Sequence, residues 1–526
     1  MQDCGRRVRR GSEEVAMSAE TSPGMNGDGP GLQPASRLEA GNIADLVAAA
    51  ARRGPQYPAL IDGPTARRLT WSELDAVVDG EARRLLAAGV APGDRVAIRL
   101  PTGVAFCVAL FGVLRAGGVV VPLPTSSPGP ELARIVADSG AGVLIADQDA
   151  VDGAEARVLP PPELTLSAKP DPVSVRTRGD DLAVLSYTSG TSGPPRAAML
   201  SHRALLANAR QCGKLRPMPV NAADRVLLAL PLFHVYGLGP GLLQVASVGA
   251  TAVLLPRFDA EEALDAIVRL RVTTVVGVPP MYAAWLGLPS DRLREGMATV
   301  RLLTSGAAPL GPEVAAAVRA ATGLDVFEGY GLTETGPVVT TTLAGGHAKP
   351  GSVGRPLPGV ELRLVDSDGM PLAEDDDGDT GRVSVRGPNL FSGYWPDGEH
   401  GPDADGWFRT GDVGYLDSDG DLHLVDRASD LIIVNGFNVY PHEVEHVLLE
   451  LDGVVEAAVV GVPDGGTGEA VKAVVVQADG AGLSAADVRE HCAARVAKFK
   501  VPAVVEFAES LPHSPTGKVA RRVLRG

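Results

Sequence analysis

The sequence predicts an α/β protein. A large N-terminal domain of helix-covered, mainly parallel sheets is followed by a small antiparallel β sheet or barrel, and a small α+β domain closes the chain. Three observations predict this. From Asn42 to about Leu364, short β-branched runs alternate with alanine-rich helical stretches. After Gly359 the pattern shifts to alternating strands separated by Asp/Gly turns. Beyond Asp430 strands and helices mix in a compact order.

The first region reads as βαβ units. Strand Val96–Leu100 leads to helix Val104–Ala116 and strand Val119–Pro122; strand Thr274–Val278 leads to helix Pro280–Leu288, and strand Arg301–Thr304 to helix Pro312–Ala321. The apolar span Gly237–Pro256 carries Gln244 and several glycines, and divides into a helix and the strand Ala250–Leu255, which favours a core segment over a membrane span. In the second region, strands Glu361–Val365 and Arg382–Arg386 are set among turns at Ser367–Gly369 and Asp417–Gly420. The third should hold strand Leu431–Val434, helix His442–Leu451, strands Ala457–Val462 and Ala470–Val476, helix Ala485–Val496 and strand Val504–Phe507.

A chain of 526 residues is too long for one ordinary core, so more than one domain is expected. With 45% hydrophobic and 21% charged residues its proportions are globular. The formal net charge of -16 argues against nucleic acid, whose backbone is held by clustered Lys and Arg. Cys4, Cys107, Cys212 and Cys492 are far apart and form no CxxC pair, which suggests neither a zinc site nor a disulfide framework and fits a reducing cytoplasm. Residues 1–37 read as a disordered tail: arginines are followed by no apolar run, so this is no signal peptide.

One loop stands out for its chemistry. An apolar strand runs into Tyr187-Thr188-Ser189-Gly190-Thr191-Ser192-Gly193-Pro194-Pro195-Arg196, where glycines let backbone N–H groups approach phosphate oxygens and hydroxyls can donate to them. No Lys follows Gly193, which separates it from a Walker P-loop. Taken alone it is equally an ordinary Ser/Gly surface turn. Further segments follow it in order: Pro231-Leu-Phe-His234-Val-Tyr236-Gly237, Gly329-Tyr330-Gly331-Leu332-Thr333-Glu334-Thr335, Gly406-Trp407-Phe408-Arg409-Thr410-Gly411-Asp412, Asp426-Arg427 running on to Glu445, and Pro515-Thr516-Gly517-Lys518. Together these resemble the adenylate-forming superfamily of acyl-CoA synthetases, nonribosomal adenylation domains and firefly luciferase, over about Asn42 to the end. Within it, Ile432–Pro441 and Phe499-Lys500-Val501-Pro502 look most like bacterial fatty-acyl-CoA ligases.

The resemblance implies roles that chemistry supports. Thr188, Ser189, Gly190, Thr191, Ser192, Gly193 and Arg196 would hold the β- and γ-phosphates of ATP; the family usually has Thr at 192 and Lys at 196, and Arg196 keeps the charge in a chain with few lysines. Tyr330, with Glu328, Gly329, Gly331 and the backbone of Gly306, Ala307 and Ala308, would line the adenine pocket. Glu334 would ligate Mg²⁺, which prefers carboxylate and phosphate oxygens, and Thr333 would meet the α-phosphate. Asp412 can accept from both ribose hydroxyls, and Arg427 would be a second ribose contact. Lys518 would bridge the substrate carboxylate and the α-phosphate as a compact cation. His234, with Phe233 and Tyr236, would gate the acyl pocket, walled by Val278, Pro279, Met281, Gly306 and its neighbours. A buried, satisfied histidine is the alternative there.

The implied architecture is a large domain over residues 38–426, a hinge at 427–430 centred on Ser429, and a mobile small domain over 431–526 carrying Lys518. Rotation would withdraw Lys518 and bring Val434, Asn435, Gly436 and Phe437 towards the adenylate for coenzyme A. The implied reaction is ATP-dependent conversion of a carboxylic acid to an acyl-adenylate and then an acyl-CoA. A medium- or long-chain fatty acid leads over an aryl acid. Expected partners are the acid and CoA, with a homodimer and an acyl-carrier protein as open alternatives. Ser192, Arg196 and Ser429 leave room for a catalytically silent nucleotide-binding relative.

Overall fold

The computed structural model describes residues 41–147, 155–165, 170–188, 196–366, 368–372, 380–427, 430, 432–434, 437–464, 468–496, 498–513 and 519–525. The tail expected over 1–37, the loop residues Ser189 to Gly193, and Ser429, Asn435, Gly436 and Lys518 lie outside the described residues, as do the side chains of Arg427 and Phe437.

Two sheets dominate. In the nine-stranded one, the run from Val326–Gly331 through Leu302–Ser305, Thr274–Gly277, Arg225–Leu228 and Thr251–Leu254 to Pro58–Asp62 is parallel throughout. Antiparallel strands close its edges, Arg68–Thr70 at one end and Val338–Thr341 with Arg355–Pro356 at the other. In the six-stranded sheet, Arg157–Leu159, Val143–Ala146, Arg95–Arg99, Val119–Pro122 and Leu182–Tyr187 are parallel, and Ala197–Ser201 returns antiparallel. Strands such as Val119–Pro122 and Thr251–Leu254 are buried along their length, because helices cover both faces.

The expected units are present with ends shifted by a residue or two. Thr274–Gly277 leads into helix Pro279–Leu286, which starts one residue earlier than predicted because Pro279 is preorganised for the first helical position. The apolar span becomes a π-helical segment, Gly237–Leu243, with Pro240 inside it, then helix Gln244–Val248 and strand Thr251–Leu254. Among the described residues no helix is long and apolar enough to cross a membrane.

The antiparallel region is an open four-stranded sheet, Glu361–Val365, Gly381–Arg386, Trp407–Leu416 and Leu422–Arg427 in that order. The C-terminal residues form a five-stranded sheet over helices Pro441–Leu449 and Ala485–Ala493, with its own core of Ile432, Val439, Val444, Leu448, Val459, Ala473, Val475 and Val488. Cys107, Cys212 and Cys492 are buried free thiols; burial pushes Cys212 up to about 12 and Cys492 up to about 11, which leaves them protonated.

Candidate active site

Strands Leu182–Tyr187 and Ala197–Ser201 pair in antiparallel register, so Tyr187 opposes Ala197 and the hydroxyl-rich turn leaves from their ends. Thr188 pins that turn: its N–H donates to the Arg196 carbonyl at 2.9 Å and its hydroxyl to the same oxygen at 3.3 Å. The Arg196 guanidinium lies over the Tyr394 ring, 5.4 Å from its centre. Tyr394 in turn donates its hydroxyl to Glu334 Oε1 at 2.5 Å. Burial, and then the Glu334 charge, push the Tyr394 phenol well above its ordinary value, so it remains the donor.

Glu334 sits on the single turn Thr333–Thr335 that follows strand Val326–Gly331. The turn is fixed from several sides. The Phe391 N–H donates to the Glu334 carbonyl at 2.9 Å, the Asn389 amide to the Thr335 carbonyl at 2.6 Å, and Leu332 N–H to the buried Thr335 hydroxyl at 2.9 Å. Gly331 has to be glycine, since a Cβ there would come within 1.9 Å of the Pro337 carbonyl oxygen. Thr333 and Glu334 thus sit on a firmly held turn, and Tyr394 links Glu334 to Arg196.

Tyr330 belongs to the same strand and reaches the four-stranded sheet. Its hydroxyl donates to Asp412 Oδ2 at 2.6 Å, and both side chains are mostly buried. Asp412 N–H is held by the Thr410 hydroxyl at 3.1 Å, and Thr410 donates to the Val383 carbonyl at 2.9 Å. Asp412 and Arg427 are paired across adjacent strands. The residues assigned from the sequence to adenine and ribose are therefore brought together. Glu328, two residues before Tyr330, is buried and accepts from the Leu310 N–H at 3.2 Å; burial pushes its carboxyl up to about 7. Facing this strand, Gly306 packs so closely on Tyr236 that a Cβ would meet the ring at 2.8 Å, and Ala307 adopts a left-handed φ of 66°. Ala307 and Ala308 are half-buried.

His234 accepts from the Tyr236 N–H at Nδ1, 3.2 Å, which assigns its proton to Nε2. The π-helical segment begins just after it. Behind the motif strand lies a cavity of about 60 Å³, lined by Tyr236, Ser305, Phe327, Gly329, Val338 and Leu343 among others. No charged side chain lines it. Three neutral ones present unpartnered polar atoms: both amide atoms of Gln244, Thr274 Oγ1 and Ser305 Oγ, on residues at most 2% exposed. A buried polar group without a partner costs about 1–3 kcal/mol. Of the predicted acyl walls, Ser305 lines this cavity, while Val278, Pro279 and Met281 stand at the head of helix Pro279–Leu286 and Gly306 covers Tyr236. Val434 is buried in the C-terminal core.

Sequence reasoning missed Tyr394 and gave Gln244 no role. Tyr394 carries no spacing signal relative to Glu334, 60 residues away. For Gln244 there was one, a lone amide in an apolar span.

The family described as AMP-binding enzyme matches residues 47–395, and AMP-binding enzyme C-terminal domain matches 443–518. A feruloyl-CoA synthase from an Amycolatopsis species is 39% identical over 483 residues, 90% of this chain and 96% of that protein. The long-chain-fatty-acid–CoA ligase FadD13 of Mycobacterium tuberculosis is 34% identical over 92% of this chain and 98% of its own. Among solved structures, ATP-bound MatB from Rhodopseudomonas palustris superposes with a TM-score of 0.85 at 36% identity, over 92% of this chain and 98% of its own.

Proposed function

We propose, from the premise that this chain belongs to the AMP-binding enzyme family and is an AMP-forming acyl-CoA ligase, that it activates a carboxylic acid whose body is compact, apolar and free of a second charge. In the first step a carboxylate oxygen attacks the α-phosphorus of ATP, the bond to the β-phosphate oxygen breaks, and pyrophosphate leaves. In the second the CoA thiol, losing its proton, attacks the acyl carbon and AMP leaves. ATP is the nucleotide of the structural relative named above.

The observation that carries this reading is the convergence of Arg196, Tyr394 and Glu334 at the root of the hydroxyl-rich turn. In this reading Thr188, Ser189, Gly190, Thr191, Ser192, Gly193 and Arg196 bind the β- and γ-phosphates, Thr333 the α-phosphate, Tyr330 with Glu328, Gly329, Gly331 and residues 306–308 the adenine, and Asp412 with Arg427 the ribose. Glu334 suits Mg²⁺: it is a hard oxygen donor with no cationic partner among the described residues, beside the turn proposed for phosphates. When bound, the ion neutralises phosphate charge. Lys518 supplies the mobile cation for adenylation, and turning at Ser429 exchanges it for the CoA-side segment Val434–Phe437. His234, two residues before the cavity-lining Tyr236, gates the acyl pocket.

The cavity behind Gly329 supports a compact acyl group, of aryl size, over a long chain: about 60 Å³ admits roughly four waters. The relative named feruloyl-CoA synthase fits that reading. The fatty-acid reading is favoured by the FadD13 relative and needs the cavity to open past Leu343 and Leu357. AMP release measured with CoA across aryl, medium-chain, long-chain and dicarboxylic acids tests both. Aryl acids are expected to give the highest kcat/KM, and a maximum at long saturated chains overturns the compact-acid reading. With CoA as the only thiol, accumulation of acyl-adenylate without thioester would point instead to a carrier-protein acceptor.

A further inference from the structure

The cavity behind Gly329 has apolar walls and unpartnered polar atoms that the proposed chemistry leaves unused. Gln244 follows the π-helical segment, and its N–H donates to the carbonyl of Gly239, five residues back, so the wide turn containing Pro240 sets where its side chain emerges. The side chain is 2% exposed and lines the cavity with both amide atoms unpartnered. Thr274 and Ser305 add two unpartnered hydroxyl oxygens from adjacent strands. The rest of the lining is Cys212, Leu215, Val220, Phe327 and similar side chains, and none of it is charged.

Position along the helix gives these atoms a meaning. Tyr236, against Gly306, marks the end of the cavity nearest the nucleotide motif. Gln244 stands eight residues further on, beyond the π-helical segment Gly237–Leu243. An amide offers both a donor and an acceptor, and a cavity without charge rejects a second carboxylate or an ammonium group. A neutral oxygen at the far end of the acid, a hydroxyl above all, satisfies this arrangement.

We propose that Gln244, supported by Thr274, reads a neutral oxygen substituent at the distal end of the acyl substrate, so that the enzyme prefers hydroxylated acids to their unsubstituted forms. This rests on the compact-acid reading above and names the substrate class more narrowly.

The test compares kcat/KM for 4-hydroxycinnamic and cinnamic acid, with ATP and CoA saturating, in the wild type, Gln244→Leu and Gln244→Met. The wild type is expected to favour the hydroxylated acid by about 100-fold, and both variants to reduce that ratio to about tenfold or less. They should do so by slowing the hydroxylated acid and raising the rate with cinnamic acid. Because each variant removes unpartnered polar atoms, its thermal midpoint should equal or exceed that of the wild type, which guards against a folding artefact. A ratio equal within about twofold in all three proteins overturns the proposal, and would mean that trapped water serves the amide. If both ring acids are refused while saturated acids react, the compact-acid reading has failed. The same ratio, taken between octanoic and 8-hydroxyoctanoic acid, then decides the role of Gln244 independently: a preference lost in both variants supports it, and an unchanged ratio overturns it.

Discussion

Two acidic regions of this protein differ in what they can do. Asp417, Asp419 and Asp421 bring three carboxylates within 4.8 Å of one another at a turn of the four-stranded sheet. Their neutralising charge is built in: Lys349 Nζ lies 2.7, 2.8 and 3.1 Å from the three, Arg355 pairs with Asp421 at 3.0 Å, and His423 contacts Asp417 at 2.7 Å. Glu328 and Glu334, on the motif strand and the turn after it, have no ion-pair partner among the described residues. Glu328 has the Leu310 N–H, and Glu334 has the Tyr394 phenol. A denser cluster of carboxylates is thus the less available one. Its charge is already answered, whereas Glu334 stands where an incoming cation would still gain by binding.

The sharpest way to break this comparison is to neutralise one acid in each region. Glu334→Gln keeps the shape and the contact with Tyr394 while removing the charge. Acid-dependent ATP–pyrophosphate exchange is expected to fall by about 100- to 1000-fold, in line with loss of one electrostatic group at a reacting phosphate. Asp419→Asn, in the lysine-closed cluster, should leave exchange within about twofold. Equal losses in the two variants would remove the distinction. Tyr394→Phe sharpens it further. The variant keeps the ring beneath Arg196 but frees the Glu334 oxygen, and exchange should drop by about tenfold with a higher Mg²⁺ concentration needed for half-maximal rate. A drop without any shift in Mg²⁺ dependence would make Tyr394 a packing residue only.

How far these sites can be read from the sequence differs for physical reasons. The parallel strands are legible because burial on both faces demands continuous β-branched runs, as in Thr274–Gly277. Strand Ala457–Val462 proved longer, Val454–Asp464, because its antiparallel pairing with Gly468–Gln477 continues past the apolar stretch. The π-helical turn at Gly237–Leu243 is invisible to periodicity, which separates helix from strand but not one helical pitch from another in an all-apolar run. At the site, Tyr330 and Asp412 are legible as members of local motifs, yet their mutual hydrogen bond joins two sheets and belongs to tertiary structure. Tyr394 acts through distant neighbours, so the Arg196–Tyr394–Glu334 chain has no local signature, whereas Gln244 shows in the sequence only as a lone amide in an apolar span, with nothing to say that it is unpartnered.

Glu328 offers a pH-dependent test of the same contrast. Its carboxyl lies near 7 in the folded protein against an ordinary 4.5, because it is buried without a cation. Between those values the folded protein retains a proton that the unfolded chain has released, so stability falls as pH rises from about 4.5 through about 7. Glu328→Gln should remove this contribution, and the stability gained over the wild type should grow with pH to on the order of 2 kcal/mol at pH 8. Urea unfolding midpoints at pH 5 and pH 8 check it. A gap that does not widen would mean that Glu328 finds a compensating charge.

The smallest effect is expected where the charges are already matched. Asp417 is held well below the usual carboxylate range against its own burial, chiefly by the hydrogen bonds from Lys349 and His423. A depressed carboxyl contributes stability above its unfolded pKa of about 3.8 and loses it as pH falls towards the folded value, so the cluster weakens only in acid. Lys349→Met leaves three carboxylates within mutual repulsion, and the urea midpoint at pH 7 should decrease modestly. Protonation relieves that repulsion, so the difference from the wild type should shrink as pH falls below 4. About 1 M salt, where the screening length is about 3 Å, should shrink it at neutral pH as well. A deficit untouched by acid and by salt would show that the lysine stem acts through packing, and the cluster would then no longer be an example of charge answered by charge.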